Sequence, residues 1–156
     1  MSENQQPTEQ VKPRYRLKKT VAMVGMMGAG KTAVGKAVAA KLGVPFLDSD
    51  TEIEAAADRT IAEIFERDGE PFFREKEAQV IARLLTDTPG ILSTGGGAFL
   101  ADRNRASIAQ KGVSVWLDAD LSLLWARVKS KETRPLLKTA DPYGTLSALY
   151  AARVPV

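Results

Sequence analysis

The sequence predicts a three-layer α/β/α fold, in which helices cover both faces of a central parallel sheet. Short apolar runs of the buried-strand type alternate along the chain with segments of helical periodicity. The pattern G-x-x-x-x-G-K-[ST], found here at Gly25–Thr32, joins the first apolar run to the first helical segment. Carboxylate and glycine groups directly follow two later apolar runs, and ligands bind at such positions in parallel sheets.

Apolar spacing and capping residues place the elements in the first half of the chain. The predicted strands are 20–24 and 44–47. The predicted helices are 31–42, one that begins near Glu52, 60–69 and 71–85. A capping box at Thr60 begins the third of these helices and Gly69 ends it, while Pro71 suits the first turn of the next.

The second half of the chain repeats the same alternation. The predicted strands are 91–93 and 113–117. The predicted helices are 102–112, 121–129 and 143–153. The turn residues that end at Gly90 precede the third strand, Asp102 caps the helix after it, and Gly112 ends that helix.

Composition excludes several functional classes. With 156 residues that are 44% hydrophobic, the chain suits one domain with a real core, assigned to 20–156. It has no cysteine and no histidine, which excludes a disulfide scaffold, a Cys/His zinc site and a histidine-based triad. Because no apolar run reaches the length of a membrane span and no secretion signal is present, we expect a cytoplasmic protein without a membrane partner.

The N-terminal segment 1–19 differs in charge from the remainder. It contains five basic and two acidic residues, so the rest of the chain has 17 of each and is neutral. The segment is polar and contains one aromatic residue, Tyr15. We therefore expect a flexible, solvated leader rather than a nucleic-acid-binding arm.

The glycine-rich pattern at Gly25–Thr32 predicts a phosphate-binding loop and thus a phosphate-loop NTPase-like fold. Its glycines allow consecutive amide groups to face a bound phosphate, and the following helix adds its positive end. Lys31 would reach the β- and γ-phosphates of a nucleotide, and the Thr32 hydroxyl would bind Mg²⁺. A plain strand-to-helix turn is the alternative. The residues expected to bind ATP here are Gly28, Ala29, Gly30, Lys31, Thr32 and Ala33.

Three separate stretches should converge on one cleft. The phosphate loop, the carboxylates Asp48 and Asp50, and the glycines 95–97 each follow a predicted strand directly. The carboxyl ends of parallel strands lie at one edge of the sheet, so these stretches should meet there. This convergence predicts an enzyme.

These motifs, taken together, resemble those of shikimate kinases over about residues 20–156. The motifs are Gly25-x4-Gly-Lys-Thr, Asp48-x-Asp50, Phe73-Arg74-x-x-Glu77, Gly95-Gly96-Gly97, Arg134-Pro135-Leu136-Leu137 and Arg153. The resemblance implies transfer of the γ-phosphate of ATP to the 3-hydroxyl of shikimate, with Mg²⁺ and in a monomer. The alternatives are a kinase for another hydroxy acid such as gluconate, and a nucleotide-dependent binding module.

The two carboxylates of Asp48-Ser49-Asp50 should have different tasks, because alternate residues of an extended segment point in opposite directions. The resemblance places Asp48 near Mg²⁺, through water, and makes Asp50 the catalytic base that contacts the substrate hydroxyls. The alternative is that Asp50 or Ser49 merely caps the helix near Glu52.

Arg74 and Glu77 lie three apart on a predicted helix and can pair. A surface ion pair is the alternative, but Phe73 and Ile81 on the same side of the helix indicate that this side turns inward. An inward arginine held by a glutamate would be a rigid fork for a carboxylate. The resemblance assigns that function to Arg74.

The resemblance supplies the remaining site residues. It makes Gly95, Gly96, Gly97 and Arg153 substrate-binding, and it places Ser93 near the metal. In the basic run 127–138 it assigns Arg127 to the adenine and Arg134 to the phosphates and catalysis. A basic lid of this kind neutralises charge on the transferred group.

The chain ends earlier than the family pattern. Shikimate kinases normally continue with a fifth strand, an adenine-contacting loop and a final helix. We therefore expect a C-terminally truncated form whose sheet has four strands in the order 2-3-1-4. Its fourth strand should have an open apolar edge with Val113, Val115 and Leu117, and its affinity for nucleotide should be lower than that of a longer form.

Overall fold

The protein folds around a four-stranded parallel sheet. The computed structural model describes residues 17–128 and 141–155. The strands are β1 Thr20–Val24, β2 Phe46–Asp48, β3 Ile91–Ser93 and β4 Gly112–Trp116. They pair in the order β2-β3-β1-β4, and every pairing is parallel. The fold class and strand order predicted from the sequence are confirmed.

Helices cover both faces of the sheet. The helices are α1 Lys31–Leu42, α2 Ser49–Ala57, α3 Ile61–Thr86, α4 Asp102–Lys111, α5 Leu121–Val128 and α6 Pro142–Arg153. One core joins α2, α3 and α4 to the sheet, with Ile53, Ile81 and Ile108 nearly inaccessible to solvent. A second joins α1 to the opposite face through Met23, Ala39 and Ile91, and Leu17 packs against it. Within the described residues, no helix is both long and apolar enough to cross a bilayer.

A third cluster connects the phosphate loop to α5 and α6. Met26 and Met27 of the loop pack against Leu124 and Leu146, which are fully buried. This apolar contact fixes the loop against α5 and α6. The methionines of the motif therefore anchor the loop, and its glycines shape it.

Helix α3 contains the break that the sequence predicts. Gly69 has φ 84° and ψ 171°, outside the helical region, although the helix continues on both sides of it. Only glycine adopts a positive φ of this kind without strain. The predicted helices 60–69 and 71–85 therefore correspond to the two helical parts of Ile61–Thr86, which meet at a kink at Gly69.

The start of α2 corrects two predictions. The helix begins at Ser49, not near Glu52, and its N-cap is Asp48, not Asp50 or Ser49. Asp48 Oδ1 accepts hydrogen bonds from the amides of Asp50 and Thr51, at 2.9 and 3.2 Å. Asp48 and Asp50 are therefore not alternate residues of an extended segment, because Asp48 ends the strand and Asp50 lies in the first helical turn.

Strand β4 lies at the outer edge of the sheet, next to β1. Its residues Val113, Val115 and Trp116 are exposed by 51%, 40% and 53%. Leu117, predicted to belong to the same apolar edge, is half-buried and packs against the core beside Met23. The strand also begins and ends one residue earlier than predicted, since Gly112 is its first residue and Trp116 its last.

Close approach of the backbone explains the glycine before β3. Gly90 accepts a hydrogen bond from the Val21 amide at 3.0 Å, and the Ile91 amide donates to Pro45 O at 2.8 Å. A Cβ at Gly90 would lie 2.5 Å from Pro45 O, which is backbone and cannot move alone. A side chain here would therefore disturb the pairing of β3 with β2.

We expect Gly90→Ala to lower the free energy of unfolding by about 1–3 kcal/mol, because the added methyl group overpacks the start of β3. Urea denaturation of the variant and the parent chain measures the difference. Thr88→Ala, at an exposed position of the same turn, is the control and should stay within about 0.5 kcal/mol of the parent. Equal stability of the two variants would contradict the close-approach explanation.

Candidate functional site

The carboxyl ends of β1, β2 and β3 open into a cleft of about 850 Å³. The predicted site residues that line it are Gly28, Ala29, Gly30, Lys31, Thr32, Ala33, Asp48, Asp50, Ser93, Gly95, Gly96 and Arg127. A smaller cavity of about 70 Å³ adjoins it and shares Met27, Asp50, Gly95 and Gly96 with the cleft. The predicted residues Arg74 and Gly97, with Glu77, line the smaller cavity and not the cleft. Arg153 lines the smaller cavity and also borders a third cavity of about 260 Å³ beside Trp116.

The phosphate loop is held in a curved shape by its glycines and its lysine. Gly25, Gly28 and Gly30 have φ of 151°, 81° and 99°. Lys31 is buried, and its ammonium group donates to Gly25 O at 2.5 Å and to Met26 O at 3.1 Å. Helix α1 begins at Lys31, so the positive end of this helix faces the cleft. The loop therefore offers backbone amides and a cation to an anionic ligand.

Three side-chain oxygens lie at the end of the cleft beside α1. Thr32 Oγ1 donates to Asp48 Oδ2 at 3.2 Å, and Asp48 is the register partner of Ser93 across β2 and β3. Hydroxyl and carboxylate oxygens are the donors that Mg²⁺ prefers. No group of three or more histidine, cysteine, aspartate or glutamate side chains able to hold a metal occurs among residues 17–128 and 141–155. The donors fit an ion that takes few protein ligands and completes its shell with phosphate and water oxygens.

Asp50 lies at the junction of the two cavities, against the triple glycine. A Cβ at Gly95 would be 3.0 Å from Asp50 Oδ1, so the carboxylate packs directly on the Gly95 backbone. The neighbouring Ser49 is fully buried, and its Oγ accepts a hydrogen bond from the Gly95 amide at 3.2 Å. Sequence reasoning considered Ser49 only as a helix cap. Its hydrogen bond instead holds the first glycine of the triple-glycine loop beside Asp50.

Two arginines converge on the backbone of Gly97. A Cβ at Gly97 would be 2.5 Å from Arg74 Nη2 and 2.9 Å from Arg153 Nη2. Arg74 Nη1 donates to Glu77 Oε1 at 2.9 Å, and Glu77 is completely buried. The side of α3 that carries these residues turns inward, since Phe73 is also buried. The pair is thus not an exposed ion pair, and the guanidinium groups face the smaller cavity together.

Burial perturbs the ionisable groups of this cavity. Desolvation raises the pKa of Glu77, and the charge and hydrogen bond of Arg74 oppose the rise only in part. Desolvation lowers the pKa of Arg153, and the nearby positive charge of Arg74 lowers it further. Within the described part of the chain, no hydrogen-bond partner reaches Glu77 Oε2 or Arg153 Nε. An anionic ligand would relieve the repulsion between the two arginines.

The last two predicted arginines differ in what the structure describes. Arg127 of α5 is exposed, and its Nη1 donates to Gly28 O at 2.7 Å, so it lies over the phosphate loop. Arg134 lies outside the described residues, as does most of the basic run 127–138. Most of the predicted leader 1–19 also lies outside them.

Comparisons with known proteins agree on one family. The family model for shikimate kinase matches residues 27–156. A shikimate kinase from Ruegeria pomeroyi is 70% identical over 140 residues, which cover 90% of this chain and 72% of the relative. One from Cereibacter sphaeroides is 71% identical over 141 residues, covering 90% of this chain and 71% of the relative. These values far exceed what a shared phosphate loop alone would produce.

A solved structure gives the same result for the fold. The shikimate kinase from Acinetobacter baumannii in complex with shikimate matches with a TM-score of 0.85 and 41% sequence identity. The match covers 88% of this chain and 76% of that one. The similarity therefore extends over the whole sheet and its helices, beyond the phosphate loop and α1.

The buried Glu77 should give stability a recognisable pH dependence. Because its pKa is raised in the folded state, Glu77 contributes stability that is complete below its ordinary pKa of 4.5 and is lost as the pH rises through the folded value. The unfolding free energy of Glu77→Gln minus that of the parent should therefore increase as the pH rises from 4.5. Urea denaturation at a series of pH values measures this difference.

The matched control for this experiment is Glu66→Gln, which makes the same change at an exposed position of α3. A Glu77→Gln difference that stays flat or decreases with pH would mean that Arg74 outweighs the burial of the Glu77 carboxylate.

Proposed function

The chain belongs to the shikimate kinase family, and from this premise we propose that it transfers the γ-phosphoryl group of ATP to the 3-hydroxyl of shikimate. The products are 3-phosphoshikimate and ADP. The observation that carries the proposal is the position of Asp50 between two adjoining cavities. One cavity is lined by the phosphate loop, and the other is lined by two arginines.

The nucleotide occupies the larger cavity in this proposal. The backbone amides of Gly28, Gly30 and their neighbours bind phosphate oxygens. The Lys31 ammonium group leaves the carbonyls of Gly25 and Met26 and binds the β- and γ-phosphates instead. The burial of Lys31 supports this, since a desolvated ammonium group interacts strongly with phosphate. Arg127, which lies over Gly28, covers the nucleotide from the side of α5.

The acid occupies the smaller cavity. Its carboxylate is held by Arg74 and Arg153, whose guanidinium groups meet at Gly97. The backbone of Gly95–Gly97 lies beneath the ring and brings it close to Asp50. Because Glu77 fixes Arg74 from the buried side, the fork has little freedom to lose when the acid binds.

Transfer requires positioning and charge stabilisation without a covalent enzyme intermediate. The 3-hydroxyl oxygen attacks the γ-phosphorus, and the bond from that phosphorus to the bridging oxygen breaks, so ADP leaves with the electron pair. Asp50 accepts the proton of the hydroxyl. Arg134, to which the family resemblance assigns the transferred group, lies outside the described residues.

Thr32 and Asp48, with Ser93 beside them, would hold Mg²⁺ at the end of the cleft near the phosphates. When bound, the ion neutralises charge on the phosphate oxygens. Asp48 binds through water in this proposal, because one of its oxygens already caps α2. A monomer without nucleic-acid or membrane partners stays a prediction from the sequence.

An acceptor assay tests the proposed reaction. We expect ADP release from ATP to depend on an added hydroxylated acid, because two arginines and one carboxylate select such a ligand. Gluconate is also a hydroxylated acid, so the expectation that shikimate is used and that gluconate gives only background release rests on the family of the chain. Removal of Mg²⁺ by a chelator should abolish the release. Preference for gluconate would support a kinase for another acid, and release independent of any acceptor would support a nucleotide-dependent binding module.

Replacement of the proposed base gives a second test. Asp50→Asn keeps the size of the side chain and removes its basicity, so turnover should fall by about 10²–10⁴-fold while ATP binding changes little. Steady-state kinetics and calorimetry with ATP measure the two effects. Asp87→Asn makes the same change at an exposed residue after α3 and is the control. Unchanged turnover in Asp50→Asn would remove Asp50 from the mechanism.

A further inference from the structure

A second glutamate contacts the arginine that binds the acid. Arg74 Nε and Nη2 donate to Glu70 Oε1 at 3.3 and 3.2 Å, while Nη1 donates to Glu77. Glu70 therefore occupies the Nε–Nη2 edge of the guanidinium group. This edge is one of the forks with which an arginine holds a carboxylate by two parallel hydrogen bonds.

The two glutamates that contact Arg74 differ in burial and in the length of their contacts. The Glu77 side chain is fully buried and its contact is 2.9 Å, whereas the Glu70 side chain is 50% exposed and its contacts are longer. Glu70 also follows Gly69, where the backbone of α3 leaves the helical conformation, and precedes Pro71. Glu77 is thus a fixed support, and Glu70 is a contact that can be exchanged.

Charge favours exchange over simultaneous binding. Glu70 and Glu77 already supply two carboxylates to Arg74, and a ligand carboxylate beside Glu70 would place a third at the same guanidinium group. Glu70 also acts on the second arginine, since burial lowers the pKa of Arg153 and the negative charge of Glu70 opposes that change. A ligand that binds both arginines must therefore compete with Glu70.

We propose that Glu70 is an internal competitor for the substrate carboxylate, occupying the open edge of Arg74 until the acid displaces it. The proposal rests on the proposed function, because it requires an anionic ligand at Arg74. Displacement makes Glu70 a determinant of acid affinity. Arg74 keeps an anionic partner in the free protein and exchanges it for the ligand, so each binding event includes the loss of one ion pair.

The test is the dissociation constant of shikimate, measured by isothermal titration calorimetry. Glu70→Gln should lower it by about two- to fivefold, the range typical of a partly exposed ion pair that no longer has to be broken. Glu70→Ala also removes the acceptor oxygen and should lower it at least as much. Glu66→Gln, which removes the same charge one turn away on α3, should leave it unchanged. Thermal unfolding verifies that each variant is folded.

A neutral ligand separates competition from other effects of the substitution. Shikimate methyl ester has no carboxylate charge, so its dissociation constant should not fall in Glu70→Gln. Weaker shikimate binding in Glu70→Gln and Glu70→Ala would show that Glu70 supports Arg74, and equal binding would show that the two do not compete. Either result overturns the inference and leaves the proposed function intact. A parent chain that binds no shikimate overturns both.

Discussion

The site depends on three consecutive glycines, 95–97, because side chains from other elements pack directly against their backbone. Built Cβ atoms at Gly95, Gly96 and Gly97 would lie 2.5–3.2 Å from atoms of the surrounding site. Those atoms belong to Asp50, Glu77, Met27, Arg74 and Arg153. A methyl group at Gly97 would displace a guanidinium group, and one at Gly95 would press on two carboxylates. The two cavities adjoin at Gly95 and Gly96, whose backbone lines both of them.

Much of the fold could be predicted because it depends on local patterns. The four strands are short apolar runs. Connections between parallel strands follow strict rules, which leave few possible strand orders for such runs. The break in α3 was predictable because Gly69 and Pro71 both disfavour a continuous helix. The beginning of α2 was not, because the Asp48 side chain accepts hydrogen bonds from the amides of the first turn and so starts the helix four residues before its first buried apolar residue, Ile53.

The site also combines features that the sequence could predict with contacts that it could not. Strand ends could be assigned to one edge of the sheet, so the meeting of the phosphate loop with Asp50 and Gly95 followed from topology. The hydrogen bond from the Gly95 amide to Ser49 joins residues 46 apart in sequence and has no periodic signal. The contact between Glu70 and Arg74 has helical spacing, but such pairs are common on exposed helices and indicate little by themselves.

The two carboxylate oxygens of Asp48 make hydrogen bonds to two different helices. One oxygen caps α2, the helix whose first turn carries Asp50, and the other accepts from Thr32 at the start of α1. Replacing this side chain with alanine would therefore disturb the start of α2 and the surroundings of the Thr32 hydroxyl together. An asparagine would keep the cap, because its amide oxygen accepts the same hydrogen bonds, and would remove the negative charge beside Thr32.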